Sequence, residues 1–380
     1  MDFSLKDHQK LIRDTVRQFM ETEVQPLVKE LEREEKFPLE IIRKLGEMGC
    51  CGMLVPEEWG GPGLDTVSYV LMIEEVARVY TAMSTALGVT NSAVQAPLLQ
   101  FGSDAQKQKY LERLARGEIL GSFCLTEAAA GSDAAGLQAT AKRSGDIYKL
   151  SGAKTWVTNG SDAGVYIVFA KTDPVAGGKG ITAFLVEPSF KGFKIGRHED
   201  KMGQRSSPSV EILLNDCEVP AENRLGEEGQ GLKIALCALD GGRIGIAAQA
   251  VGLAQGALDD SIKFAKSRRA FGKNIGEFQA IQWMLADMQT EIEAARGLTH
   301  YAAWLKDSGK PMGSAASKAK LYASEMVNRV AYKAVQIHGS LGYSRETDVE
   351  RMYRDARVIT IYEGTSEVQR MIIARDLLGK

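Results

Sequence analysis

No GxGxxG and no GxxxxGK[ST] occurs anywhere in the 380 residues, so neither a Rossmann fingerprint nor a P-loop is present. Any nucleotide bound here is held in some other way. Histidine is scarce: His8, His198, His300 and His338 stand far apart and form no HExxH, which leaves no transition-metal site. The five cysteines, Cys50, Cys51, Cys124, Cys217 and Cys237, are odd in number and lack ligand spacing; they fit a reduced compartment and small buried side chains. A formal net charge of -2 supplies no field toward nucleic acid or an anionic membrane. No apolar run approaches membrane-span length, and Met1-Asp2-Phe3-Ser4-Leu5-Lys6-Asp7 is too polar for a signal sequence. These absences predict a cytoplasmic protein with no membrane span and no nucleic-acid partner.

Hydrophobic residues make up 44% and charged residues 25% of the chain, an ordinary soluble balance over a length that allows two or three domains. Three textures follow one another. Residues 1–119 read as helices: Ile12, Val16 and Phe19 recur at helical spacing, and Ser103 with Gln106 forms a capping box for a helix through Ala115. Residues 120–225 read as short strands, among them Ile147 to Leu150, Thr155 to Thr158, Val165 to Lys171, Ile181 to Glu187 and Val210 to Leu214, in a β domain of barrel or sandwich type. Gly226 to Gly231 is a hinge, and residues 226–380 return to helices. Ile281, Met284, Leu285, Met288, Ile292 and Ala295 make one apolar face, and Ala319, Ala323, Met326, Val330, Ala334 and Ile337 another. The Ala/Gly-rich stretch from Gly245 to Ala257 permits close helix approach. The expected fold is α+β: an N-terminal helical domain, a β-barrel-like middle domain and a C-terminal four-helix bundle.

The most informative stretch runs from Val358 to Glu367. A β-branched run is broken at Glu363-Gly364, and Ser366 with Gln369 reads as a capping box opening a helix toward Leu378. Glu363 thus sits in a turn between an apolar wall and a helix N-terminus, a place suited to a base that takes a proton from carbon. Phe123-Cys124-Leu125-Thr126-Glu127 is an apolar strand ending in hydroxyl and acid, and Gly131-Ser132-Asp133 closes a turn of small residues that lets backbone N–H groups approach an anion. Period-two alternation puts Trp156 and Thr158 on one side of a strand, an indole beside a hydroxyl that suits a flat ring. Asp240 to Arg243, Arg268 to Gly272 and Gln336 to Ser340 add arginines and glycine gaps suited to phosphates. Taken singly, each has an ordinary structural explanation: a solvated turn glutamate, a strand-end turn, a core tryptophan, a solvated arginine.

Their joint order is specific. Leu125-Thr126-Glu127, Gly131-Ser132-Asp133, Trp156-Val157-Thr158-Asn159, Arg268 to Gly272, Gln336 to Gly339 and Tyr362 to Thr365 closely resemble the acyl-CoA dehydrogenase family of flavoproteins. The resemblance covers essentially the whole chain and is nearest the short-chain (butyryl-CoA) branch, notably from Leu239 to Ala247. It implies FAD against the β domain, with Thr126 and Thr158 bonding the ring, Trp156 beside it, and Phe123, Leu125, Gly131 and Val157 in the same cradle. Ser132 lies between flavin and CoA ester. Arg268, Phe271, Gln279, Gln336, Ile337, Gly339 and Ser340 contact the FAD of a neighbouring subunit, which implies a homotetramer built as a dimer of dimers. Asp240, Arg243, Tyr362 and Gly364 line the acyl-CoA site, while Thr365 and Glu367 return to the flavin.

Glu363 matches the family's catalytic base. Some branches carry the base at the position of Gly242, and glycine there leaves Glu363 without a rival. The family commonly has proline after the Thr-Glu of the flavin loop; this chain has Ala128-Ala129-Ala130, which leaves φ free and predicts a looser loop. The implied reaction takes the α-proton of an acyl-CoA thioester to Glu363 while hydride leaves the β-carbon for flavin N5, giving a trans-2-enoyl-CoA from short- to medium-chain substrates. Electron-transfer flavoprotein is the implied acceptor. Branched and alicyclic acyl groups stay open. A glutaryl-type substrate needs a cation at its tail, and the helix from Ala82 to Ser92, placed there by resemblance, contains no Lys or Arg. A flavin-containing DNA-binding relative without dehydrogenase activity needs a strongly basic face, which charge and sequence do not supply. Relatives that oxidise acyl-CoA with O₂ are usually much longer chains.

Overall fold

The computed structural model describes residues 4–379; residues 1–3 of the polar N-terminal stretch, and Lys380, lie outside them. Seven helices open the chain: α1 (Asp7–Phe19), α2 (Val28–Glu34), α3 (Leu39–Glu47), α4 (Thr66–Val79), α5 (Thr81–Gly88), α6 (Ala96–Phe101) and α7 (Asp104–Ala115). The expected capping box of α7 is present in both halves: Gln106 N donates to Ser103 Oγ at 3.3 Å, and Ser103 N to Gln106 Oε1 at 3.1 Å. Between α5 and α6 the chain widens into a π-helical segment, Val89–Gln95.

Eight strands follow: β1 (Leu120–Cys124), β2 (Thr140–Ser144), β3 (Ile147–Thr158), β4 (Ala163–Lys171), β5 (Ile181–Val186), β6 (Phe193–His198), β7 (Ser209–Pro220) and β8 (Arg224–Leu225). They form one sheet in the order β6-β7-β3-β2-β4-β5-β8, with β1 added parallel to β4. Two segments expected as separate strands, Ile147 to Leu150 and Thr155 to Thr158, are one strand. Its pairing with β7 continues across two register shifts, at Leu150/Gly152 and at Lys154/Val157. β4 is buried on both faces. Val165, Ile167 and Phe169 enter a core shared with α7, and Tyr166, Val168 and Ala170 enter one built with β3 and β7.

The chain then turns through Gly226 and Gly229, both at positive φ, into α8 (Gly231–Ser267). A small hairpin, β9 (Arg269–Ala270) and β10 (Lys273–Asn274), precedes α9 (Gln279–Asp307), α10 (Gly313–His338), α11 (Val349–Ala356) and α12 (Ser366–Leu377). α8 is long and apolar enough to cross a membrane by composition, contrary to the expectation that no such run exists; 72% of its most apolar window is buried inside the protein. The reason is α4. A side chain added at Gly252 or Gly256 would overlap the Glu74 or Arg78 carbonyl, so these glycines bring the two helices into backbone contact. The N- and C-terminal helices therefore share a single core, from Val16 through Val76 and Val251 to Val330.

Candidate functional site

The run from Val358 is not extended. Arg357–Thr360 forms a 3-10 turn after α11, and the chain reverses through Glu363 (φ 54°) and Gly364 (φ 89°). The helix that follows is capped by Thr365, whose Oγ1 accepts from Val368 N at 3.3 Å, and not by Ser366. Ser366 is already helical. Gln369 does not complete a box either: its Nε2 turns back to Glu363 O at 3.3 Å and Gly364 O at 2.8 Å. Lys320, buried in α10, donates to the same Gly364 O at 2.8 Å. These bonds hold a non-glycine residue in the left-handed region, a conformation that persists only when its surroundings over-determine it.

The Glu363 carboxylate points at α8. A Cβ added at Gly242 would overlap Oε2 and lie 2.7 Å from Cδ, so the missing side chain at Gly242 is what admits the carboxylate. Oε2 is shielded from solvent and has no hydrogen-bond partner. Burial pushes the carboxyl up to about 7, against the opposing pull of Arg243 and Lys320. Arg243 is 4% exposed and ion-paired to Asp240, with its own Nε unpartnered. Burial likewise lowers Lys320, to about 8, although Glu363 favours its charge. The N–H of Glu363 has no acceptor among the described residues. An ionisable oxygen thus stands at a notch in α8, on a residue whose own amide is free.

Tyr362 fixes the other side of the turn. Its hydroxyl donates to Gln249 Oε1 and accepts from Gln204 Nε2 at 3.4 Å. Gln204 accepts from Thr85 Oγ1 at 2.5 Å, so α5 is tied to the turn. The same helix reaches the end of β3, since Asn159 Nδ2 donates to Ala86 O at 3.1 Å. α5 thereby sets Tyr362 and Glu363 near the strand end that carries Trp156 and Thr158. None of Lys320, Gln369, Gln249 and Gln204 is distinguishable in the sequence from an ordinary helix or loop residue.

Trp156 is 58% exposed at φ 59° and so is not a core tryptophan. The shift at Lys154/Val157 turns Lys154 and Val157 inward and leaves Trp156 and Thr158 on the outer side, with the indole accessible. Thr155 N donates to Thr126 O at 2.9 Å, which joins this strand edge to the Thr126 loop. Phe123, Leu125 and Val157 point into the two cores, so only their backbones face outward. Gly131 and Ser132 are exposed on the same loop. That loop is not loose. Glu127 and Ala130 exchange two backbone hydrogen bonds, and the Glu127 carboxylate accepts from Gln138 N, Ala139 N and the buried Lys154 Nζ at 2.6, 3.0 and 2.7 Å. Burial works to raise the Glu127 carboxyl, but Lys154 and these N–H groups together hold it below the usual range. The three alanines are spanned by bonds that need no proline.

Arg268, Phe271, Gln279, Gln336, Gly339 and Ser340 are all exposed; only Ile337 is buried. The Phe264 and His338 rings stack at 4.3 Å and place the ends of α8 and α10 together. Phe271 is 95% exposed at φ 52° on the β9–β10 turn. Arg268 lies 26 positions beyond Gly242 on α8, about 39 Å along the axis, so this group does not meet Glu363 within one chain. Thr365 caps α12, and Glu367 is exposed on its first turn.

The chain matches the acyl-CoA dehydrogenase N-terminal domain over residues 6–118, the middle domain over 122–217 and the C-terminal domain over 229–378. It belongs to the acyl-CoA dehydrogenase family. It is 44% identical to a short-chain-specific acyl-CoA dehydrogenase of Clostridium acetobutylicum, covering 98% of this chain and 99% of that one. It is 46% identical to CarC, a subunit of the caffeyl-CoA reductase-Etf complex of Acetobacterium woodii, covering 98% and 99%. The structure of butyryl-CoA dehydrogenase from Megasphaera elsdenii superposes over the whole of both chains with a TM-score of 0.98 at 46% identity.

Proposed function

We propose that the protein oxidises short straight-chain acyl-CoA thioesters, C4 to C6, to trans-2-enoyl-CoA, with Glu363 as the base that removes the α-proton. The observation that carries this reading is the Glu363 carboxylate, unpartnered and held near neutrality against the notch at Gly242. A free carboxylate is too weak to deprotonate carbon beside a thioester. Burial strengthens it, and a positioned base contributes about 10²–10⁴-fold. The unpaired N–H of Glu363 is suited to the thioester oxygen, where one such donor is worth about 3–4 kcal/mol. Asp240, Arg243 and Gly364 flank the same space.

The cofactor of this reading is FAD, which supplies the two-electron acceptor when bound. The exposed indole of Trp156 with Thr158 beside it, and the tied Thr126 loop with Gly131 and Ser132 open to solvent, fit a flat ring system bearing hydrogen-bond acceptors. Thr365 and Glu367 stand close by in sequence to Glu363 for the return contact. Strained backbone supports the same assignment: of seven non-glycine residues at positive φ among the described residues, three are Trp156, Phe271 and Glu363. The separation of about 39 Å along α8 favours a neighbouring chain as the one that meets Arg268, Phe271 and Gln279; the proposed assembly is the homotetramer that the family resemblance implies. Electron-transfer flavoprotein is the proposed acceptor, supported by the Etf complex of the CarC relative, and the cytoplasm the proposed location. A carboxyl near neutrality is equally able to return a proton, so the same residues serve the reductive direction named for CarC.

Anaerobic addition of butyryl-CoA to the purified yellow protein tests the reading. Bleaching of the flavin is expected, and Glu363→Gln should slow it at least 10²-fold while leaving flavin bound. Bleaching at the wild-type rate in Glu363→Gln would place the base elsewhere.

A further inference from the structure

Tyr69 lies in the first turn of α4 with 1% of its surface exposed. Its hydroxyl occupies a gap left by Gly245, where an added Cβ would lie 2.5 Å from it; Gly88 is also a neighbour, at an ordinary contact distance of 3.9 Å from where a Cβ would stand. The oxygen is buried without a hydrogen-bond partner. Ser92 is the nearest polar side chain; its hydroxyl donates to Gly88 O at 2.6 Å and keeps lone pairs that can accept from the phenol. The phenol tip is thus the part of this side chain that reaches α8, into space that any side chain at Gly245 would take.

Gly245 follows Gly242 by three positions on α8. Side-chain positions three apart on a helix stand about 5–6 Å from one another. The notch that admits the Glu363 carboxylate and the notch that admits the Tyr69 hydroxyl are therefore neighbours on one helix face. Burial pushes the phenol's pKa well above its ordinary value and the Glu363 charge adds to the rise, which places the two groups within electrostatic reach. α5 and the Val89–Gln95 segment form the opposite wall through Gly88 and Ser92.

We propose that Tyr69 is the end wall of the acyl slot and sets the length of chain that Glu363 can deprotonate. The inference rests on the reading of Glu363 as the base, which places the α-carbon at the Gly242 end. From there the phenol stands only a short acyl chain away along α8. A longer tail must displace a ring wedged between α4, α5 and α8, and it meets a polar tip that an alkyl group cannot satisfy.

The test is anaerobic flavin reduction of the full protein by butyryl-, hexanoyl- and octanoyl-CoA in wild type, Tyr69→Phe and Tyr69→Val. Wild type and Tyr69→Phe should both favour butyryl-CoA. Tyr69→Val should raise the octanoyl-to-butyryl ratio of kcat/KM at least tenfold, since each methylene admitted to an apolar pocket changes selectivity by about that factor or more. Tyr69→Leu removes the phenol tip while keeping more of the core than valine does, and carries the same expectation should the valine variant fail to fold. A ratio within twofold of wild type in a folded, flavin-bearing variant overturns the proposal, as does a wild type that already favours octanoyl-CoA. Failure of every acyl-CoA to bleach the wild-type flavin overturns the short-chain dehydrogenation reading instead, and so the two readings fail separately.

Discussion

Gly242→Ala is the sharpest probe of the geometry, because it adds one methyl group and removes none of the reacting atoms. The added Cβ would overlap Glu363 Oε2 and sit 2.7 Å from Cδ. Carbon atoms settle at about 3.5–4.0 Å, so the carboxylate must withdraw by about 1 Å. A displacement of that size in a catalytic group costs about 10²-fold in rate. The folded state should not suffer in proportion. Gly242 is inside α8 at ordinary helical φ, where alanine is favoured over glycine by about 0.8–1.0 kcal/mol, which offsets part of the crowding. The assay is stopped-flow reduction of the flavin by butyryl-CoA, with thermal unfolding of the same preparation as control. The expected outcome is a drop of about 10²-fold at a melting temperature within a few degrees of wild type. A rate within twofold of wild type would refute the claim that the empty position at Gly242 is what seats the base.

Four further outcomes are expected. Flavin reduction should rise with pH through about 7, the level to which burial pushes Glu363, because the base acts ionised. Between its ordinary 4.5 and about 7 the native state holds this proton more tightly than the unfolded chain, so the group's effect on stability worsens as pH rises. Glu363→Gln should therefore raise the melting temperature more at pH 8 than at pH 5; an equal effect at both would contradict the raised carboxyl. Trp156→Ala should weaken flavin retention while changing apoprotein stability by no more than about 0.5 kcal/mol, because the ring is exposed; a loss of about 3–5 kcal/mol in chemical denaturation would mark a core residue after all. Glu127→Ala strands the fully buried Lys154 ammonium and should cost about 3–5 kcal/mol in the same measurement, whereas a neutral result would deny that this ion pair holds the alanine loop.

Much of the fold is legible in the residues because it depends on local rules. The α7 capping box needs only Ser103 and Gln106 three apart, and the apolar faces of α9 and α10 need only a regular period. What the residues left open, or in the case of the Ser366 cap misplaced, was of the opposite kind. Val358 to Ile361 is β-branched, yet it closes as a turn because Ile359 is drawn into the shared helical core. Ser366 and Thr365 are chemically equivalent caps, and which one serves is decided by the reversal at Glu363-Gly364. Trp156 looks like a core residue by size, and only the bulge against β7 turns it outward.

By itself the sequence determined the succession of helices, strands and helices, and singled out Glu363 by its place between Tyr362 and Gly364. It also excluded a second carboxylate at position 242. What a carboxylate can do there was decided by tertiary structure. Acidity depends on desolvation and on charges within a few ångströms, and Gly242, Arg243, Lys320 and Glu363 come together only when α8 and α10 close on the turn. The same holds for Tyr69, nearly three hundred residues from Glu363 in the chain and brought to the neighbouring notch by two glycines that let α4 press against α8. Spacing along a chain records helical faces; it does not record which faces meet.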